Sequence, residues 1–126
     1  GRTKQYINAF GEELMVENAE QGLQAACEAT GALIRDYTAG PVFLTAGERG
    51  AHEWFIEFEK APDEIDRFVE VLDRKMREVN SDYDAKRHHD LALRAPMVRV
   101  VPEGTFYHWM KKRGKLGGQN KVPRLA

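Results

Sequence analysis

The most regular hydrophobic pattern in the chain lies between Pro62 and Val79. Apolar residues recur there three or four positions apart, at Ile65, Phe68, Val69, Leu72, Met76 and Val79. This spacing predicts an amphipathic helix with one face packed on a sheet. Pro62 and Asp63 are typical of the first turn of such a helix.

A period of two residues follows a turn at residues 47–50 and runs from residue 52 to residue 59. Trp54, Ile56 and Phe58 fall on one face, and three glutamates, Glu53, Glu57 and Glu59, fall on the other. The alternation predicts a half-buried strand of a hairpin. Paired acids can serve acid-base catalysis, but acids that alternate along a strand usually form its solvent-facing side, and we expect that here.

The remaining elements follow from composition and from helix-ending residues. We predict a strand over Lys4–Phe10, a helix that Asn18 caps and Gly31 ends, and a strand over Leu33–Thr45. That last strand should be interrupted near Gly40–Pro41, since a proline removes a ladder donor and implies an edge or a bend.

The C-terminal third predicts a short polar surface helix from Tyr83 to about Asp90, a strand over Met97–Val101 and a final helix that starts around residues 103–105. Phe106, Trp109 and Met110 should dock inward from this last helix. The short helix carries Asp84 and His88 one turn apart, but a zinc site needs a third ligand and none is near in sequence. We therefore predict no metal site.

The order of elements is strand, helix, strand, strand, helix, strand, with an extra helix before the last strand and another after it. It predicts an α+β fold: a small sandwich with a roughly four-stranded mixed sheet flanked by helices, in a split βαβ-like order. A chain of 126 residues with 42% hydrophobic content forms one domain, residues 1–126. Many unrelated functions share such folds.

Charge is distributed unevenly along this chain. From Gly104 to the end there are six Lys or Arg and no acid, and because the whole chain has net charge −1, the remainder carries −7. A basic end on an acidic body is compatible with nucleic acid, an anionic membrane or a phosphate-bearing substrate.

The single cysteine, Cys27, excludes an internal disulfide, is expected in the core and fits a cytoplasmic location. No apolar run is long enough for a membrane span, so we expect no membrane partner.

The last stretch, residues 113–124, combines glycines with cations and reads RGKLGGQNKVPR. Glycines let a backbone approach a ligand closely, and the cations suit an anionic one. The spacing is not that of a Walker loop, which requires GxxxxGK followed by Ser or Thr between a strand and a helix. The alternative is a helix C-cap at Gly114 followed by a solvated basic tail.

Four separated segments carry a resemblance to a known family. They read INAFGEELMV at residues 7–16, NSDY at 80–83, VPEGTFY at 101–107 and GKLGGQNKVPR at 114–124. In this order, from end to end, they resemble the C-terminal domain of the auxin-responsive acyl acid-amido synthetases, in their bacterial branch. That family belongs to the acyl-adenylating superfamily, and its plant members activate jasmonate, auxin or benzoates with ATP and pass the acyl group to an amino acid.

The resemblance implies one part of a larger ligase that forms a C–N bond. The family's ATP-binding motifs lie in a large N-terminal domain of the same polypeptide, which is absent from this chain, so the chain alone should be inactive. In the superfamily, the smaller domain swings on a hinge between the two half-reactions, and a lysine from its C-terminal loop reaches the acyl carboxylate and the α-phosphate. Magnesium also compensates charge at the phosphates, and it is held mainly by the missing domain.

Residue by residue, the resemblance places Lys121 in the catalytic position, with Lys115 as a competitor because the register of the loop is loose. Gly117, Gly118 and Arg124 of the same loop are the expected nucleotide contacts. Residues 2–4 correspond to the hinge, from which Lys4 would contact the nucleotide. The substrates should be a carboxylic acid and an amine, and whether the acceptor is an amino acid or a thiol stays open.

Two other classes of function also remain open. A nucleic-acid-binding module would use the basic C-terminal arm, although no RNP-like aromatic pair lies on a predicted strand and the body is acidic, so we expect no nucleic acid partner. A ligand-sensing or oligomerisation domain would use the sheet and would not need the arm.

Overall fold

The computed structural model describes residues 6–44, 49–88 and 92–112. In these ranges the elements are, in chain order, β1 (Tyr6–Ile7), β2 (Leu14–Met15), α1 (Val16–Thr30), β3 (Leu33–Phe43), β4 (Gly50–Lys60), α2 (Ile65–Val79), α3 (Ser81–Arg87), β5 (Met97–Val101) and α4 (Thr105–Lys112). The predicted alternation and the α+β class are confirmed. None of the helices in these ranges is long and apolar enough to cross a membrane.

The main sheet has the strand order β3-β4-β5 within the described residues, with β4 in the centre. β3 is antiparallel to β4, whereas β5 is parallel to it, which makes the sheet mixed as predicted. Parallel neighbours need a crossover connection, and α2 and α3 supply it. The predicted first strand is described from Tyr6 onward, and there it pairs with β2 in a separate two-stranded ribbon.

The core fills the space between α1, α2 and one face of the sheet. Trp54 and Ile56 are fully buried on that face, and the Phe58 ring meets the Phe68 ring edge-on at 5.3 Å between centroids. α1 and α2 approach closely at Gly22, where a Cβ atom would lie 2.9 Å from the side chains of Leu72 and Met76. Phe68, Leu72 and Met76 of the predicted α2 stripe are buried in the core, whereas Ile65 is exposed. The helix begins at Ile65, so Pro62 and Asp63 precede its first turn instead of forming it.

The start of α1 differs from the prediction. The helix begins at Val16, and Asn18 lies inside its first turn, where its side chain accepts a hydrogen bond from the Met15 amide at 3.0 Å. Asn18 still satisfies an amide at the helix start, but from within the helix. Gly31 ends α1 as predicted, with φ +74° and an amide that donates to the Cys27 carbonyl at 2.8 Å. Cys27, expected in the core, is half-buried against it.

The predicted interruption of the next strand near Gly40–Pro41 is wrong. β3 runs through both residues, and Pro41 stands opposite His52. A proline is tolerated there because β3 is an edge strand of the described sheet, and the open side of an edge strand requires no backbone N–H donor. The irregularity lies earlier, since Ile34 stands opposite Phe58 while Asp36 stands opposite Glu57. Arg35 is thus one extra residue in β3, as in a β-bulge.

α3 is not the surface helix predicted from its polar composition. Asn80 caps it by accepting a hydrogen bond from the Tyr83 amide at 2.8 Å, and Tyr83 and Arg87 are both buried. The helix docks because these two polar side chains find partners beneath it, which a composition count does not reveal. The predicted C-terminal continuation of this helix, toward Asp90, lies outside the described residues from residue 89 onward.

The last two elements agree with the prediction in all but one residue. Phe106 and Met110 on α4 are buried and pack against Val101 at the end of β5. Trp109 was expected to dock with them but is 37% exposed. Phe106 and Met110 are about one helical turn apart and therefore share a face. Successive helical residues are about 100° apart, so Trp109 lies beside that face and not on it.

Candidate functional site

The residues that the sequence places at the reaction lie outside the described residues: Lys4, Lys115, Gly117, Gly118, Lys121 and Arg124. Their roles therefore stay predictions. α4 ends at Lys112, directly before the segment that contains five of them. The described feature closest to the chemistry is the way in which α4 is attached to the sheet.

Glu57 of β4 holds the beginning of α4. One carboxylate oxygen, Oε2, accepts a hydrogen bond from the Gly104 amide at 2.9 Å, and the other, Oε1, accepts one from the Phe106 amide at 3.1 Å. Amides at the start of a helix have no carbonyl acceptor within it, and a negative charge there also complements the helix dipole. Glu57 is only 2% exposed, so both bonds are shielded from water.

The turn before α4 presents the two amides to one carboxylate. Gly104 has φ +91°, in the left-handed region that favours glycine. Thr105 follows with its amide and its hydroxyl both donating to the Pro102 carbonyl, at 3.1 and 2.7 Å. Because Gly104 has no side chain with which to cap the helix, the acceptor is supplied from β4.

Arg35 of β3 also contacts the Glu57 carboxylate. Its Nε lies 3.5 Å from Glu57 Oε2, and its Nη2 donates to Glu103 Oε2 at 3.0 Å. The bulge in β3 places Arg35 and Asp36 together opposite Glu57, which lets the guanidinium reach both acids. We call Arg35, Glu57, Gly104 and Phe106 the α4 anchor.

The α4 anchor corrects the prediction that all three glutamates of β4 face solvent. Glu53 is partly exposed and pairs with Arg99 at 2.9 Å, and Glu59 is exposed, but Glu57 is buried. α4 covers this end of the sheet and its amides replace the water that Glu57 would otherwise bind. The sequence offers one weak signal, a helix that begins after a glycine and so needs a cap from elsewhere.

A second group of polar residues lies beneath the ribbon. His52 Nε2 and Glu12 Oε2 are 2.6 Å apart, both side chains are buried, and Glu12 Oε1 accepts a hydrogen bond from the Phe10 amide at 2.7 Å. Burial by itself raises the pKa of Glu12, but the hydrogen bonds from His52 and from backbone amides outweigh it, and the pKa lies below its ordinary value. Glu12 is therefore a carboxylate, to which His52 donates from Nε2.

Tyr83 and Arg87 of α3 converge on Asp73 of α2. The Tyr83 hydroxyl donates to Asp73 Oδ1 at 2.7 Å, while Arg87 donates from Nε to Oδ1 at 2.8 Å and from Nη2 to Oδ2 at 2.7 Å. Arg87 Nη1 also donates to the Leu93 carbonyl at 3.3 Å. Burial, with the nearby Asp73 charge, raises the pKa of Tyr83 well above its ordinary value, so this phenol stays protonated. The arrangement fits a structural network.

Asn80 joins two of the segments on which the resemblance rests. Its Nδ2 donates to the Glu13 carbonyl and to Asn18 Oδ1, both at 3.0 Å. The Tyr83 ring also lies 5.6 Å from the His52 ring, centroid to centroid. The motifs at residues 7–16 and 80–83 thus meet at one place, where α2 ends and α3 begins.

Asp84, one member of the pair weighed for metal binding, has a partner on α2. Asp84 accepts a hydrogen bond from Arg77 Nε at 2.6 Å, and the described part of the chain contains no group of three His, Cys, Asp or Glu side chains that could hold a metal ion. Burial, with the Glu28 charge beside it, raises the pKa of the Cys27 thiol, which makes the thiolate scarce.

Comparison with known proteins assigns the class. Residues 17–126 match the model of the GH3 family C-terminal domain, and the chain therefore belongs to the GH3 family. The structure of a GH3.15 acyl acid amido synthetase matches with a TM-score of 0.76 at 18% identity, covering 100% of this chain and 23% of that chain. AtGH3.15 acyl acid amido synthetase in complex with 2,4-DB matches with a TM-score of 0.72, again at 18% identity, over 100% of this chain and 24% of that chain.

These two structural matches show a shared fold. This chain spans about a quarter of the length of the proteins that it matches. None of the curated proteins matches it in sequence. The resemblance carried by the four motif segments is confirmed at the level of the family.

Proposed function

We propose that this chain is the C-terminal domain of an ATP-dependent acyl-adenylating ligase, which activates a carboxylic acid as acyl-AMP and transfers it to an amine, with an amino acid as the expected acceptor. The family match over residues 17–126 carries the proposal. The fold shared along the whole chain with proteins described as acyl acid amido synthetases supports it. The large N-terminal domain that binds ATP and the acid would belong to the same polypeptide, in the cytoplasm.

The reaction has two steps in this proposal. A carboxylate oxygen of the acid attacks the α-phosphorus of ATP and pyrophosphate leaves. The amine nitrogen then attacks the acyl carbon, AMP leaves and the nitrogen loses a proton. The first step brings a carboxylate against a polyphosphate, and because two anions repel, charge that develops at the α-phosphate has to be met by fixed cations.

The C-terminal segment of this chain has the chemistry for that task. Lysine is a compact charge on a flexible stem, and glycines allow the backbone to approach a phosphate. We assign the catalytic cation to Lys121, with Lys115 as the competing assignment, and nucleotide contacts to Lys4, Gly117, Gly118 and Arg124. Magnesium would contribute further positive charge at the phosphates and would be held mainly by the N-terminal domain.

The test uses the full-length enzyme. Lys121→Ala should lower ATP–pyrophosphate exchange by about two to three powers of ten, since removing one donor to a transition-state charge typically costs about that much. Transfer from synthetic acyl-adenylate to the amine should be nearly unchanged, because the lysine acts only in the first step. Lys111→Ala, which removes an exposed cation of α4, is the matched control and should leave both steps within about twofold.

Lys115→Ala tests the register of the loop. If that change abolishes exchange while Lys121→Ala does not, the catalytic cation is Lys115. If neither variant slows exchange, the segment is a solvated tail and the assignment of a catalytic cation to it is wrong.

A further inference from the structure

We propose that Glu57 is a positioning residue for the adenylation half-reaction: it holds α4 in one orientation and thereby sets where the segment after Lys112 enters the reaction. The inference rests on the proposed function. It adds a residue of the sheet that precedes the segment after Lys112 by more than 50 positions in sequence. Glu57 touches no reacting atom in this proposal.

α4 is a short helix, and the Glu57 carboxylate is the acceptor for two amides at its start. The helix has eight residues, and an isolated helix of that length is not stable in water. Its buried side chains, Phe106 and Met110, form a small cluster with Val101 that is separate from the main core. Apolar contacts of this kind hold a helix down but do not define its direction, since they are not directional.

The two hydrogen bonds from Glu57 do define a direction. Each carboxylate oxygen accepts from a different amide, Gly104 and Phe106, so a rotation of the helix about its beginning lengthens at least one bond. A helix of eight residues is about 12 Å long, and a tilt of about 10° at one end moves the other by about 2 Å. Displacements of about 1 Å at a reacting group can reduce a rate by about a hundredfold.

The first measurement is the change in each half-reaction of the full-length enzyme on replacing Glu57 by Gln. The variant keeps the size of the side chain, removes its charge and turns an amide donor toward one of the two backbone amides. We expect the rate constant of pyrophosphate exchange at saturating substrates to fall by about tenfold to a hundredfold, and transfer from preformed acyl-adenylate to change by less than about twofold.

Glu53→Gln is the matched control. Glu53 lies on the same strand and the same face as Glu57, but it pairs with Arg99 of β5. The same chemical change there should leave both half-reactions within about twofold, as is usual for surface ion pairs. If Glu57→Gln fails to fold, Arg35→Gln replaces it as the test variant. Arg35 is half-exposed, and its replacement removes only the cation of the α4 anchor. It should slow exchange by about twofold to fivefold and spare transfer.

Two further readouts separate positioning from general destabilisation. Hydrogen exchange of the α4 amides should accelerate by about tenfold in Glu57→Gln while the α2 amides keep the wild-type rate. In a Lys121→Ala background, Glu57→Gln should slow adenylation by less than about twofold more, because residues that act through one another are not additive.

Equal losses in both half-reactions, or an effect that multiplies with that of Lys121→Ala, would overturn the inference and leave the proposed function standing. So would faster exchange of the α4 amides with a normal adenylation rate. Absence of pyrophosphate exchange in the wild-type enzyme, by contrast, would refute the proposed function and with it this inference.

Discussion

The buried pair of Glu12 and His52 gives a stability prediction that can be worked out from the structure. Both side chains are at most 1% exposed, and the carboxylate accepts from His52 at 2.6 Å and from the Phe10 amide at 2.7 Å. Glu12→Gln keeps the volume and a carbonyl oxygen but loses the charge. Since hydrogen bonds to charged groups contribute about 1.5–3 kcal/mol, we expect the free energy of unfolding at pH 7 to fall by about 2 kcal/mol.

His52→Ala should have a larger effect than Glu12→Gln. It leaves a buried carboxylate without its principal partner and a cavity where the ring was. A buried group left without its hydrogen-bond partner costs about 1–3 kcal/mol, and more where it is charged, and the cavity adds to that loss. Because the two variants leave different groups unpaired, their order is part of the prediction.

The effect of Glu12→Gln should depend on pH in a defined sense. The pKa of Glu12 is lower in the folded protein than in the unfolded chain, where it has its ordinary value. Its contribution to stability is therefore full above the unfolded pKa, about 4.3, and is lost as pH falls through the lower, folded pKa. The difference in the free energy of unfolding between wild type and Glu12→Gln should shrink as pH falls below about 4.

Urea unfolding of the 126-residue chain at pH 7, 5 and 3, followed by tryptophan fluorescence, measures these differences, since Trp54 is fully buried. The control is Glu28→Gln on the exposed side of α1, which should stay within about 0.5 kcal/mol of wild type. A loss below about 0.5 kcal/mol for Glu12→Gln at pH 7 would show that the pair adds no net stability. A loss that is equal at pH 7 and pH 3 would show that the charge is not its cause.

Two further predictions concern the core and the isolated chain. Phe68→Ala should lower the free energy of unfolding by about 3–5 kcal/mol in the same urea assay, because Phe68 is fully buried against Phe58, whereas half-buried Val69→Ala should cost clearly less. The isolated chain should bind ATP with a Kd of about millimolar or weaker in calorimetric titration, because the nucleotide motifs belong to the absent domain. Such a Kd corresponds to a binding free energy of only about 4 kcal/mol. Micromolar binding would indicate an independent nucleotide sensor instead.

The elements with a regular periodicity could be predicted from the sequence alone. The buried face of α2 with Phe68, Leu72 and Met76, the alternation of β4 and the glycine that ends α1 were correctly predicted, because each reports which face of one element is apolar or where a backbone needs φ above zero. The four motif segments also identified the family, which the match over residues 17–126 confirms. Lys121 and its neighbours in the C-terminal segment remain predictions.

Which polar residues are buried depends on contacts between elements that are distant in sequence. Glu57 and Gly104 are 47 residues apart and Glu12 and His52 are 40 apart, so no local pattern relates them. A glutamate on an alternating strand is solvated unless another element covers it and supplies donors, and here α4 does both for Glu57. The bulge that turns Arg35 toward Glu57 likewise follows from the pairing of β3 with β4. Periodicity reveals the faces of an element, whereas the burial of a charge depends on what packs over that face.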